Sequence, residues 1–111
     1  MGAIKRSELI PKVIAPERTR YIAYTDHLMM VVMDFHDGPT SEPDPPHSHP
    51  HEQVSYVVSG EINFFMNNEA TRLGPEDIFT VPPHVPHCIQ LLTPHVRLVD
   101  TFSPIREDFL K

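Results

Sequence analysis

The stretch that decides the fold is Pro46-His47-Ser48-His49-Pro50-His51-Glu52-Gln53, in which histidines recur at every second position. Side chains of an extended chain alternate between two faces, so His47, His49 and Gln53 project to the same side. Two imidazoles held this close repel each other when both are protonated. In their neutral forms, both can give a lone pair to the same cation. The pattern therefore predicts a metal site with His47 and His49 among its ligands.

The same stretch offers two candidates for a third ligand. Alternation favours Gln53, because Glu52 faces the other way. Ligand chemistry favours Glu52, since a carboxylate is the commoner hard ligand beside two imidazoles. A bulge next to Pro50 would shift the register and reverse the alternation. The residues alone leave both candidates open.

A second group of histidines follows in Val81-Pro82-Pro83-His84-Val85-Pro86-His87. Its prolines stiffen the chain into a turn that can deliver one imidazole from an opposite strand. His51 and His84 stay open between surface residues and groups at the pocket mouth or behind the ligands. The remaining histidines are interpreted as surface residues: His27, His36 and His95.

Prolines and short apolar runs predict an all-β chain. The sequence holds 13 Pro, which would break long helices repeatedly. Asn67-Asn68 supplies the positive φ values of a tight hairpin turn, and Ser59-Gly60 marks another reversal. Several short strands joined by turns predict a sandwich or a barrel. We predict strands over residues 21–24, 28–35, 54–58, 61–66, 78–81, 88–91 and 96–102.

Length and charge limit the classes of function. A chain of 111 residues suits one domain, with residues 21–111 as the barrel and its C-terminal tail. Residues 1–20 are expected to form an arm or edge strand that packs on the barrel or on a partner subunit, and we expect a homodimer. The net charge of -6, without a Lys/Arg cluster, argues against binding of nucleic acid or an anionic membrane.

Apolar runs and cysteine content indicate the compartment. The longest apolar run falls far short of the ~20 residues of a spanning helix, and the N-terminus lacks the apolar core of a secretory signal. A cytoplasmic protein is expected. The single cysteine, Cys88, excludes an internal disulfide framework and an all-thiolate metal site, and we interpret it as a buried small side chain.

Both histidine groups resemble the motifs of a known family. His47-x-His49-x3-Gln53-x6-Gly60 resembles the first cupin motif and Pro82-x-His84-x2-His87 the second, with Gln53 where glutamate is usual and with Glu76 and His84 in place of glycines. The resemblance implies the cupin double-stranded β-helix, a jelly-roll barrel. It also implies one divalent metal ion per chain (Ni, Mn, Fe, Zn or Co), held by His47, His49, Gln53 and His87.

The C-terminal part of the chain suggests what lies opposite the metal. On the last predicted strand Asp100 shares a face with Leu98 and Phe102, and a carboxylate in an apolar row is costly unless it is paired or reactive. An outward position at the strand end is the alternative. The string Asp100-x-Phe102-Ser103-Pro104-x-Arg106-Glu107-Asp108-Phe109-Leu110 resembles the tail of the small KdgF-type cupins of pectin and alginate catabolism.

That resemblance implies a reaction and a substrate. KdgF-type cupins convert 4,5-unsaturated monouronates into linear ketonised sugars, with Asp100, Phe102 and Arg106 on the substrate side. The residue types suit these roles: Arg106 offers a planar fork to a carboxylate, Asp100 moves protons, and Phe102 packs against the sugar. Two other hypotheses remain open, another metal-dependent cupin enzyme such as an iron dioxygenase, and a non-catalytic sugar- or metal-binding module.

Overall fold

The chain is almost entirely β-structure. The computed structural model describes residues 2–111; Met1, at which the expected N-terminal arm begins, lies outside the described residues. Within them there is no α-helix, only 3₁₀ turns at Arg6–Glu8 and Glu107–Leu110. The strands are β1 (Lys12–Ala15), β2 (Arg18–Tyr24), β3 (Met29–Phe35), β4 (Glu52–Ser59), β5 (Ile62–Met66), β6 (Glu69–Leu73), β7 (Ile78–Val81), β8 (His87–Leu91) and β9 (Val96–Ser103).

Two antiparallel sheets enclose one core. The larger has six strands in the order β1-β2-β3-β9-β4-β7, and the smaller has three in the order β6-β5-β8. The last strand therefore inserts between β3 and β4, which are separated from it in sequence, as a jelly roll requires. The predicted all-β jelly-roll fold is confirmed.

Alternation along the strands builds the core. On β3 every second residue is buried, beginning with Met29 and ending with Phe35. Phe64 of the small sheet stacks on Phe79 of the large one, with ring centroids 4.3 Å apart. Packed aromatic rings stabilise a fold both through the apolar area that they bury and through the geometry of the ring pair. These contacts join the two sheets into one barrel.

Facing residues on β4 and β9 grade from apolar to polar. Val57 lies opposite Leu98, and Ser55 lies opposite Asp100 in the next inward-facing pair. Because side chains two residues apart share a face, all of them point into the barrel. The apolar end closes the core, whereas the polar end opens towards the histidine segments.

Several details extend the sequence-based strands. Asn67 and Asn68 adopt φ values of 54° and 61°, as the predicted hairpin requires. β2 begins at Arg18, three residues before the predicted start, and β1 pairs with it at the edge of the large sheet. β6 was not predicted, because its residues are mostly exposed and carry no apolar alternation. No helix within residues 2–111 is long and apolar enough to cross a membrane.

Candidate functional site

Backbone hydrogen bonds bring the two histidine segments together. His47 and His87 form an isolated antiparallel bridge, in which the His47 N–H donates to the His87 carbonyl at 3.0 Å and the reverse bond measures 2.9 Å. The N–H of His84 donates to the carbonyl of His49 at 2.7 Å. These bonds lay the proline-rich connection beside β8. Two segments far apart in sequence therefore share one end of the barrel.

Three imidazoles meet at this end. One ring nitrogen from each of His47, His49 and His87 lies within 4.8 Å of the others. Burial is the main cause that lowers the pKa of His87, to about 4, although its bond to Val85 opposes the shift. Burial and then the neighbouring His49 lower the pKa of His47. Both rings are neutral at pH 7, and a metal can bind only the unprotonated nitrogen.

Ring orientation leaves the Nε2 atoms available. The Nδ1–H groups of His49 and His87 donate to the carbonyls of His51 and Val85, each at 2.9 Å. A neutral imidazole that donates from Nδ1 presents a lone pair at Nε2. The Nε2 of His87 is buried and has no hydrogen-bond partner among the described residues. A buried nitrogen lone pair without a hydrogen-bond partner is available to bind a metal ion.

Gln53 completes the group from β4. Its side chain is buried, its Nε2 donates to Ser55 Oγ at 2.9 Å, and its Oε1 lies 3.1 Å from His49 Nε2. With His49 protonated at Nδ1, two acceptor atoms face each other, which is unfavourable unless a cation lies nearby. Glu52 is exposed and faces outward on β4. Three imidazoles and one oxygen donor fit a divalent transition metal.

The other predicted site residues, Asp100, Phe102 and Arg106, line a cavity together with His47 and His87. This cavity of about 270 Å³ is bordered by His47, Gln53, His87, Asp100, Phe102 and Arg106. Phe102 is buried and stands edge-on to His49, with centroids 5.7 Å apart. The Asp100 side chain lies in this cavity and not at an outward position on the strand.

Asp100 is a carboxyl group in an unusual environment. It accepts a 2.6 Å hydrogen bond from Ser55 Oγ. Burial raises its pKa to about 6, and the Ser55 bond and the charge of Arg106 only partly oppose this. A carboxyl group with a pKa near neutrality can both accept and release a proton at physiological pH.

Arg106 sits at the edge of the cavity with a partner of its own. Its guanidinium pairs with Asp108 at 2.9 Å, and 15% of its side chain is exposed against 56% for Asp108. The guanidinium carbon also lies 3.9 Å from the ring centroid of Phe109 and 5.1 Å from that of Phe102. The aromatic rings hold the arginine at the mouth, while its partner carboxylate is largely in solvent.

Arg20 and Phe109, which line the cavity, and Ser55, which contacts Gln53 and Asp100, were not predicted as site residues. Ser55 shares the parity of Gln53, and Arg20 shares that of Ile22, so strand alternation was the available signal. Phe109 reaches the cavity from the C-terminal 3₁₀ turn, which has no such signal. His84 is exposed and contributes its backbone, and burial raises the pKa of the Cys88 thiol, as suits a buried small side chain.

Comparison with known families agrees with this architecture. Residues 31–100 match the Cupin_2 family, described as the cupin domain. The chain belongs to the cupin family.

Three individual relatives are similar to this chain over most of its length. The chain is 33% identical over 94 residues to the pectin degradation protein KdgF of Dickeya dadantii (strain 3937), covering 84% of this chain and 83% of that protein. A crystal structure of an RmlC-like cupin from Shewanella frigidimarina NCIMB 400 is 35% identical, with a TM-score of 0.87 and coverage of 98% of this chain and 96% of that one. The structure of KdgF from Halomonas sp. is 34% identical, with a TM-score of 0.84 and coverage of 95% and 96%.

Proposed function

We propose that this cupin is a metal-dependent enzyme that opens and ketonises 4,5-unsaturated monouronates from pectin or alginate breakdown. The observation that carries the proposal is one cavity that brings His47 and His87, two members of the three-histidine cluster, together with Asp100 and Arg106. The similarity to two KdgF proteins, one of them named for pectin degradation, supports the substrate class.

His47, His49, Gln53 and His87 would hold the metal, which fits the partnerless Nε2 of His87 and the facing acceptors of His49 and Gln53. When bound, a divalent cation there supplies Lewis acidity to a substrate oxygen. The backbone carbonyls of His51 and Val85 fix the ring tautomers, and Ser55 fixes the amide. One metal ion per chain is proposed.

The reaction needs proton transfer and no redox change. An unsaturated monouronate is a cyclic hemiacetal whose ring oxygen is part of an enol ether. Asp100 takes the proton of the anomeric hydroxyl as the bond between C1 and the ring oxygen breaks, leaving an aldehyde and an enolate. Transfer of the same proton from Asp100 to C4 then converts the enolate into a ketone and restores the carboxylate. The product is an isomer of the substrate, so one carboxyl group with a pKa of about 6 suffices to shuttle the proton.

The remaining residues orient the sugar. Arg106 binds the substrate carboxylate through its planar fork of donors. Phe102 packs against the sugar ring and limits water around the reacting bond. The chain is acidic overall, with a net charge of -6, so a local cation is needed to bind an anionic sugar.

The experiment follows the consumption of an unsaturated monouronate by its loss of ultraviolet absorbance, with oxygen uptake recorded in the same cell. The proposal expects loss of absorbance, a linear keto product by nuclear magnetic resonance, and no oxygen uptake. Oxygen uptake coupled to turnover would instead support an iron dioxygenase. Tight sugar binding without turnover would support a non-catalytic module.

Assembly and location belong to the same proposal. We propose a cytoplasmic homodimer, with residues 1–20 as the arm and residues 21–111 as the barrel. Exposed apolar side chains on β4 and β7, such as Val54 and Ile78, support a second copy covering that face of the large sheet. Light scattering of the purified protein tests the dimer, and a monomeric mass across a wide range of protein concentration would exclude it.

A further inference from the structure

We propose that Arg20 is a second anion-binding residue of the cavity, which acts with Arg106 to select sugars that carry a carboxylate over neutral sugars. The proposal deepens the proposed function and rests on it for the nature of the ligand. Arg20 lies on β2, whose inward row also contains Arg18 and Ile22. It borders the same cavity as His87, Asp100 and Arg106.

Arg20 differs from other cavity and strand arginines in its partners. Arg18 is neutralised by Asp37 and Asp44, with ion pairs of 3.0 and 2.8 Å. Arg97 pairs with Asp34 on the large sheet. Within residues 2–111 Arg20 forms no ion pair, and its Nε is buried without a hydrogen-bond partner. A half-buried guanidinium that lacks an ion pair and a hydrogen-bond partner for its Nε is expected to bind an anion.

Phe109 brings the two arginines together. The guanidinium carbons of Arg20 and Arg106 lie 3.8 and 3.9 Å from the centroid of its ring. Burial lowers the pKa of Arg20, the positive charge of Arg106 adds to this, and Asp108 only partly offsets it. The two cations are therefore close enough to repel each other, and a carboxylate bound beside them would relieve the repulsion.

The alternative is a purely structural role, in which Arg20 covers the ring of Phe109 by a cation–π contact. In that case its replacement would lower thermal stability and affect acidic and neutral ligands equally. An anion-binding role affects only the acidic ligand. The distinction can be measured without turnover.

The experiment compares binding of D-galacturonate, a saturated acidic sugar, with binding of D-galactose by isothermal titration calorimetry on the full chain. We expect tighter binding of the acid by the unaltered protein. Arg20→Gln should weaken galacturonate binding about tenfold or more, the usual worth of a charge-assisted hydrogen bond, and leave galactose binding unchanged. Arg20→Lys retains the charge and should recover part of the preference.

Arg72→Gln is the matched control, because Arg72 is an exposed arginine paired with Glu61 on the small sheet. The inference is overturned if Arg20→Gln binds galacturonate as the unaltered protein does, or if that protein shows no preference for the acid. Should Arg20→Gln fail to fold, Arg20→Met removes the charge and keeps the apolar stem, and unchanged galacturonate affinity in that variant also overturns the inference. An Arg20-dependent preference in a protein that does not consume unsaturated uronates would refute the proposed function alone.

Discussion

Ser55 Oγ donates a 2.6 Å hydrogen bond to Asp100 Oδ1, and the same hydroxyl accepts a 2.9 Å bond from Gln53 Nε2. One hydroxyl thus joins a proposed metal ligand to the proposed acid/base group. The register of β4 against β9 sets this relationship, since Ser55 lies directly opposite Asp100. Any change at Ser55 should therefore affect both metal binding and proton transfer.

Replacing Ser55 with Ala tests this coupling. Burial raises the pKa of Asp100 to about 6, and the Ser55 bond opposes the rise. Without that bond the pKa rises further, so the fall of kcat on the acid side should move to higher pH. Gln53 also loses the acceptor that orients it, and metal affinity should drop about 10- to 100-fold. A pH–rate profile and a metal titration measure the two effects.

Ser59→Ala provides the control for Ser55, because Ser59 is an exposed serine at the end of the same strand. It should leave the pH profile and the metal affinity as they are. An unchanged acid limb in Ser55→Ala would mean that the hydroxyl does not influence the group that titrates.

Asp100→Asn separates catalysis from metal binding. The amide keeps the shape of the side chain and removes the titratable group, so kcat should fall by roughly 10²-fold or more. Metal content should stay at the level of the unaltered protein, since Asp100 contacts Ser55 rather than the histidines. Turnover at the unaltered rate would exclude an acid/base role for this carboxyl group.

The same substitution predicts a change in stability. The pKa of Asp100 is raised from 3.8 to about 6 in the folded state, so folding favours its protonated form. The resulting stabilisation is fully present below pH 3.8 and disappears as pH rises through about 6. At pH 7 the ionised group costs at most ~3 kcal/mol, from 1.36 kcal/mol per unit of pKa.

Denaturant unfolding of the metal-free protein at pH 4 and pH 7 checks this expectation. Asp100→Asn should gain stability relative to the unaltered protein on going from the lower to the higher pH. If the free energies of unfolding of the two proteins differ by the same amount at both pH values, burial does not raise the pKa of Asp100.

Arg106→Lys tests the carboxylate fork. Lysine keeps the charge and loses the two-pronged geometry, so KM for the uronate should rise about tenfold with a smaller change in kcat. Asp108 occupies the Arg106 guanidinium in the structure, at 2.9 Å. Asp108→Asn should therefore lower KM, because the substrate carboxylate no longer competes with it. Steady-state kinetics decide both, and a KM that Arg106→Lys leaves unchanged would show that the two-pronged geometry does not contribute to substrate binding.

Strand alternation carried most of what the sequence revealed. It placed Gln53 and Asp100 on inward rows, because buried strands have a period of two. Alternation also grouped His47 with His49, but these two lie before β4 and are held by backbone bonds with His87 and His84. It missed Arg20, since two arginines on a strand near the N-terminus look like a solvated arm until the strand is paired on both sides. Phe109 depends on how the C-terminal turn folds back, which only tertiary packing determines.

The two departures from the cupin glycines have a structural counterpart. Glu76 and His84 adopt φ values of 77° and 66°, the left-handed region in which glycine is favoured. The turns are retained although the residues that usually permit them are absent. Backbone bonds from Glu76 N–H to Val57 and from His84 N–H to His49 explain why, since each turn is held by the neighbouring strand or segment. Sequence alone does not reveal such compensation.

Substitution of the histidines tests the ligand set. His49→Ala and His87→Ala each remove one of three clustered nitrogens and should lose most of the bound metal. Glu52→Gln changes an exposed side chain on the outer face and should retain it. Metal analysis of the purified variants provides the comparison, and full occupancy in both histidine variants would refute the assignment.

The most direct test of the central claim is the initial rate of monouronate consumption by metal-free protein titrated with a divalent metal. The account predicts a negligible rate without metal, a rise that saturates near one equivalent per chain, and no oxygen uptake. A rate that is the same with and without metal, or no consumption at any metal concentration, would contradict it.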